Sequence, residues 1–244
     1  MIFQLSIMKH SLTIGITDCS KYDNYKNWIL GADASINIIK LSYQLDNIDL
    51  LASCDGIILS GGEDVYPTFY GKPEYLELLD PSQMDEKRDV FELKVIEQSL
   101  LAKKPILGIC RGLQIANVYF GGILVPDIPT VIGSELHNKI EGKDQHHQVE
   151  LVQGSLINTI TGQQTGTINS AHHQSAQQIG EELVVTGYAD NNIVEAIEWK
   201  EPANKPWLLL LQWHPERISD DAHFSMAIRK AFLGVAGRKG GLLF

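Results

Sequence analysis

Cysteine is scarce in this chain. Cys19, Cys54 and Cys110 are the three in 244 residues. So odd and sparse a set excludes a disulfide framework and suits a reducing compartment, so a cytoplasmic location is expected. Basic charge is also short: 20 Lys and Arg face 30 Asp and Glu, a net charge of −10. That balance disfavours a phosphate-backbone partner, and no nucleic-acid partner is expected. No apolar run approaches the ~20 residues that cross a bilayer, so no membrane partner is expected either. The start, Met1 to His10, has no basic n-region and no small-residue cleavage site, and it does not read as a signal peptide. Met8 offers an alternative start. Repeats, low-complexity blocks and interdomain linkers are missing. What remains suits one α/β domain: 44% of residues are hydrophobic, enough for a full core. The expected organisation is a tail over 1–11, a single domain over 12–234 and a second tail over 235–244.

Apolar runs then set the elements. Leu12–Thr17, Ile36–Leu41 and Gly56–Ser60 read as strands, the first of them central. Tyr25–Gly31 and Leu45–Ala52 read as the helices between them. A Tyr/Pro/Gly-rich loop covers 63–82, and apolar residues at helical spacing predict a long helix over Asp85–Lys103. A strand leads to Leu107, and a helix covers Leu113–Phe120. Strand–helix alternation of this kind predicts a parallel sheet covered on both faces. After Gly122 the pattern changes to short strands at Gln148–Val152, Gly166–Ser170, Leu183–Gly187 and Val194–Trp199. Trp207–Trp213 reads as a further strand and Asp220–Leu233 as a closing helix.

The most informative stretch is Gly108-Ile109-Cys110-Arg111-Gly112, set between a predicted strand and a predicted helix. A Gly-x-nucleophile-x-Gly in that place is a nucleophile elbow. It lifts Cys110 to the carboxyl edge of the sheet, near a helix N-terminus that favours a thiolate. A thiolate needs a proton-transfer partner, an orienter for that partner and donors for an oxyanion. His214 ends an apolar strand, and Glu216 lies two residues on. Cys110, His214 and Glu216 therefore read as a triad, with Glu216 orienting His214. Backbone N–H groups of Gly61, Gly62 and Arg111 are the candidate oxyanion hole.

These motifs resemble the class I glutamine amidotransferase superfamily. Its Gly-x-Cys-x-Gly-x-Gln falls at Gly108 to Gln114, and its late His-Pro-Glu at His214-Pro215-Glu216. Within it the chain is most similar to the γ-glutamyl-γ-aminobutyrate hydrolases of the peptidase C26 group, from about Leu12 to Leu233. The similarity includes Asp55 to Val65, Arg88-Asp89, Asn169 to Gln174 and Val194 to Glu198. The resemblance implies a flavodoxin-like three-layer α/β sandwich with extra short antiparallel strands. It implies hydrolysis of a small γ-glutamyl amide through a thioester on Cys110, with no cofactor. It implies that Gln114, His172, His173 and Gln174 line the glutamyl pocket. Glu63 and Tyr66 depart from the family's usual Gly and Asp, which bears on the leaving amine. One alternative is a glutaminase subunit feeding ammonia to a synthase partner; another is a retired domain that only binds a γ-glutamyl metabolite. A homodimer is compatible with either reading.

Other residues have plainer readings. His137, His146, His147, His172 and His173 invite a metal, but adjacent strand residues point to opposite faces, so no metal site is expected. Cys19 and Cys54 read as structural thiols, Arg88 either as a side chain reaching the active site or as an exposed charge at a helix start, and the four tryptophans as core or pocket wall. Tyr66, Phe69, Tyr70 and Tyr75 are expected to wall the space for the leaving amine.

Overall fold

The computed structural model describes residues 11–219 and 222–238. Five strands lie parallel: β1 (Thr13–Thr17), β2 (Asn37–Leu41), β3 (Gly56–Leu59), β4 (Ile106–Ile109) and β11 (Leu208–Leu211). Four more pair antiparallel: β6 (Gln145–Leu151), β7 (Thr165–Ser170), β9 (Leu183–Tyr188) and β10 (Val194–Trp199). The order across this nine-stranded sheet is β2-β1-β3-β4-β11-β10-β9-β6-β7. Its parallel half has the flavodoxin-like order. Two short strands, β5 (Ile123–Val125) and β8 (Ser175–Gln178), form a separate antiparallel pair.

Side-chain alternation builds the three layers. Ile14, Ile16, Ile58, Leu107, Leu209 and Leu211 belong to one buried cluster, with Trp28 and Ile29 of α1 (Tyr22–Leu30) and Ile228 and Phe232 of α6 (His223–Ala236). Ile57, Leu59, Ile106, Leu208 and Leu210 belong to the other. There they meet Phe91, Val95 and Ile96 of α2 (Glu86–Leu101) and Leu113 of α3 (Arg111–Tyr119). A strand with both faces buried must be apolar at every position, which is why these strands read as continuous runs. Helix α2 starts where Asp85 accepts hydrogen bonds from the Lys87 and Arg88 N–H groups.

Several expectations need correction. β1 lies between β2 and β3, one strand in from the edge. The helix expected over Leu45–Ala52 is a 3-10 turn, Ile48–Ser53. Asn47 accounts for this: its side chain accepts from Ser42 N–H and donates to Lys40 C=O, in competition with a helical start. Two short helices were not foreseen, α4 (Ile128–Ile132) and α5 (Leu156–Thr161). Asp127 and Ser155 cap them through their side chains, the one local signal for elements this short. α6 runs through Ala236, two residues beyond the expected domain end. The expected tails lie mostly outside the described residues, as does the start of the closing helix at Asp220. No described helix is long and apolar enough to cross a membrane.

All four tryptophans are buried. Tyr70 is buried on the α2–α3 side of the sheet, with Phe69 and Tyr75 packed around it. These rings fill core and do not wall the space near Cys110.

Candidate active site

The carboxyl ends of β1, β3, β4 and β11 converge on one edge of the sheet, and the elbow rises there. Cys110 occupies the N-cap of α3 with φ 54° and ψ −108°. A non-glycine residue in that conformation is strained, and such strain concentrates at functional sites. Its N–H is tied to Leu211 C=O at 2.7 Å, which fixes the turn to β11. The flanking Gly112 serves close packing: a Cβ there would fall 2.1 Å from Leu59 carbonyl oxygen. Helix α3 can therefore approach β3 only through glycine.

His214 sits just past β11, and its backbone N–H donates to Asn169 Oδ1 at 3.0 Å. Its ring Nδ1 lies 2.8 Å from Glu216 Oε1. The other edge of the ring faces Cys110; a Cβ on Gly61 would meet His214 Cε1 at 3.1 Å and Cys110 Cβ at 3.4 Å. Thiol and imidazole interact directly. Burial works to raise the Cys110 pKa, but attraction and hydrogen bonding to His214 outweigh it, and the pKa falls below the ordinary value. Burial likewise works to lower the His214 pKa. The Glu216 carboxylate and the Cys110 thiolate reverse that and push it up to about 9. Both shifts run in the direction that favours a thiolate beside an imidazolium.

A cavity of about 280 Å³ opens on Cys110, His214 and Glu216. Tyr25, Gly61, Gly62, Glu63 and His173 are among its walls. A larger cavity, of about 420 Å³, does not reach Cys110 but shares Cys19, Ser20 and Glu63 with the first. The chemistry therefore belongs to the smaller space.

The candidate oxyanion donors are not equivalent. Gly61 N–H already donates to the Tyr25 hydroxyl at 2.8 Å, so Gly61 drops out as a donor. Gly62 and Arg111 keep theirs. The Arg111 guanidinium points away into the protein, paired with Asp89 and Glu92. Arg88 is likewise buried, which removes the exposed-charge alternative and leaves the reach toward the site. It donates to Gly61 C=O at 2.8 Å and pairs with Glu92 and Glu63. The loop carrying Gly61 and Gly62 is thus held by a buried charged layer behind the site. Glu63, the departure noted in the sequence, neutralises Arg88 at the cavity mouth.

Of the four expected pocket residues, His173 alone lines the cavity. Gln114 reaches toward Gln174 C=O and Gln212 Oε1 at 3.3 and 3.4 Å. Gln174 donates to Pro126 C=O. His172 turns inward, where Nδ1 meets Gln174 C=O at 2.9 Å and Nε2 faces Glu195. His172 and His173 lie at a bend between β7 and β8, where the first turns inward and the second faces the cavity. His173 links two carboxylates, Nε2 to Asp64 at 2.9 Å and Nδ1 to Asp127 at 3.1 Å. The hydrogen bond to Asp64 is the main reason its pKa rises to about 9.

Three residues escaped the sequence reading: Tyr25, Asn169 and Gln212, whose Nε2 donates toward Cys110 Sγ at 3.6 Å. Asn169 lies within a motif already noted and Gln212 within the strand that leads to His214, whereas nothing local marks Tyr25. Cys54 is buried as expected, its pKa pushed up to about 11 by that burial. Cys19 is only partly buried and lines both cavities. His137, His147, His172 and Glu195 gather in a group that could hold a metal ion. Within each histidine pair only one member belongs to this group, yet the fold collects that member from both pairs.

The chain matches the sequence model of the peptidase C26 family over residues 8–216. It is 36% identical over 184 residues to the glutamine amidotransferase-like protein YvdE of Lactococcus lactis, covering 75% of this chain and 74% of that protein. It is 30% identical over 192 residues to the γ-glutamyl-γ-aminobutyrate hydrolase PuuD of Escherichia coli, covering 75% and 72%. The glutaminase domain of Trypanosoma brucei CTPS, solved with acivicin bound, superposes with a TM-score of 0.63 at 14% identity, covering 96% of each chain. A glutamine amidotransferase from Thermotoga maritima gives 0.59 at 13%, covering 93% and 96%. The elbow, the sheet order and these matches lead to one conclusion: the chain has the class I glutamine amidotransferase fold and belongs to the peptidase C26 family.

Proposed function

We propose that this protein hydrolyses γ-glutamyl amides through a γ-glutamyl thioester on Cys110. The observation that carries the reading is the Cys110–His214 pair on a strained elbow, oriented by Glu216, at the floor of a cavity. The Cys110 thiolate attacks the γ-carbonyl carbon, forming a C–S bond and a tetrahedral oxyanion. Gly62 and Arg111 N–H groups donate to that oxyanion, each worth about 100–1,000-fold in rate. The oxyanion collapses and breaks the C–N bond while His214 Nε2 gives its proton to the leaving amine. Neutral His214 then takes a proton from water, whose oxygen attacks the thioester. Breakage of the C–S bond releases glutamate and restores the thiolate and imidazolium. Glu216 holds the ring throughout.

The leaving amine must fit beside Glu63, Lys139 and Gln83, in a space that continues toward the larger cavity. Room of this kind favours an amine larger than ammonia. Glutamate release by the purified chain from glutamine, γ-glutamyl-aminobutyrate and γ-glutamyl dipeptides tests this. Faster cleavage of a bulky amide than of glutamine is expected. Reaction with glutamine alone, and only after a synthase partner is added, would replace this reading with the glutaminase subunit. Binding of γ-glutamyl compounds without turnover would replace it with the retired domain.

A further inference from the structure

Four side chains distant in sequence meet in the protein interior, away from the elbow. His147 comes from β6, Glu195 from β10, His172 from just past β7, and His137 from the segment between α4 and β6. One nitrogen of each histidine lies 3.5 Å from the same oxygen, Glu195 Oε1. The four donor atoms all lie within 4.8 Å of one another. The side chains are at most 6% exposed.

These contacts are too long for hydrogen bonds. Both His137 ring nitrogens, Nε2 of His147 and of His172, and both Glu195 oxygens are buried with no hydrogen-bond partner among the described residues. So many orphaned polar atoms in one place require an explanation. The ring orientations sharpen the point. His147 Nδ1 lies 3.1 Å from Gln148 C=O, and His172 Nδ1 lies 2.9 Å from Gln174 C=O. A carbonyl can only accept, so both Nδ1 atoms carry a proton, and each ring turns its Nε2 inward. A lone pair facing a carboxylate oxygen is repelled by it, and a cation lying between the two removes that repulsion. A carbonyl on the far nitrogen is also how proteins orient metal-binding histidines.

The spacing suits a small divalent ion. Four ligands at 2.0–2.1 Å around a tetrahedral zinc lie about 3.3–3.4 Å apart, close to the 3.5 Å between each histidine nitrogen and Glu195 Oε1. Three imidazoles and one carboxylate form a borderline donor set that takes Zn²⁺ and the neighbouring first-row ions. We infer that His137, His147, His172 and Glu195 form a closed divalent-metal site, with zinc as its first-choice ion. All four positions come from protein and the site is buried, so the role is structural. It would fasten β6, β10 and the segment after β7 to one another. That segment carries Ala171 and His173 to the cavity wall. Glu195 C=O also accepts from Gln212 N–H at 2.8 Å, two residues before His214. The inference stands independently of the proposed reaction.

Elemental analysis of the untagged chain is the test. About one equivalent of zinc or a neighbouring divalent ion per chain is expected. Chelation should lower Tm by on the order of 10 °C, and added zinc should restore it. Cobalt substitution should give the visible absorption of a tetrahedral Co²⁺ centre. Glu195→Gln and His147→Ala should each lose the ion; if either fails to fold, the wild-type chelation and cobalt arms still decide. Metal below ~0.1 equivalent, with Tm unmoved by chelator or by added Zn²⁺, Co²⁺, Ni²⁺, Mn²⁺ or Fe²⁺, would overturn the site. Full metal retention in both variants would overturn the ligand assignment.

Discussion

A buried thiol ionises only if something outweighs its burial, and at Cys110 that is the His214 imidazolium, itself sustained by Glu216. At Cys54 and Cys19 burial outweighs the nearby Lys104 and Arg88 and raises both. Iodoacetamide at about pH 6 should therefore alkylate Cys110 first, through its cavity; labelling of Cys19 or Cys54 first would contradict the assignment. Glu216→Gln removes the charge that holds the imidazolium. The His214 pKa should then fall, the Cys110 pKa should rise, and the midpoint of Cys110 alkylation should move to higher pH. An unmoved midpoint would mean that Glu216 only packs. Cys110, His214 and Glu216 are legible in the sequence because each sits in a short motif beside a predicted strand. Arg88 and Arg111 are not, because their partners lie on other elements or turns. His172 was misassigned because sequence adjacency to His173 says nothing about which of the two faces the cavity.

The elbow works as an element because α3 lies almost against β3. Gly112→Ala would place a methyl 2.1 Å from Leu59 carbonyl oxygen, where backbone must move. A loss of roughly 1–3 kcal/mol, with lower Tm and lower activity, is expected. Gly234 on α6 is the contrasting case: it is exposed, and nothing lies within 4 Å of a Cβ there. Gly234→Ala should raise stability by about 0.5–1 kcal/mol and leave activity alone. Thermal melts of the two variants test both together; equal melting points would refute the packing argument. Elements with both faces buried, such as β3, β4 and β11, were readable as apolar runs. The pair β5 and β8, and helices α4 and α5, are too short for any periodicity to show.

Across the whole molecule, His173 joins the strand-β7 end to Asp64 and Asp127, which come from separate loops. Its pKa is raised in the folded protein, mainly by the Asp64 hydrogen bond, to about 9. A raised pKa means stability fully present below the ordinary histidine value near 6.5 and lost as pH rises toward 9 and beyond. Its side chain is 40% exposed, so solvent screening keeps the effect below ~1 kcal/mol. Tm should decline over that window, and Asp64→Asn should flatten the decline; a decline unchanged in Asp64→Asn would remove His173 as its source. At this scale the alternation of strands and helices gave the parallel half in advance. The strand order, the buried charged layer and the histidine cluster came only with the folded chain, because each depends on contacts between distant segments. The reaction itself is tested most directly by acid-quenching wild-type protein during turnover of a γ-glutamyl amide and mapping the adduct by mass spectrometry. A γ-glutamyl group on Cys110, absent from Cys110→Ala together with all glutamate release, is the expected result. Sustained turnover by Cys110→Ala, or the adduct on another residue, would contradict it.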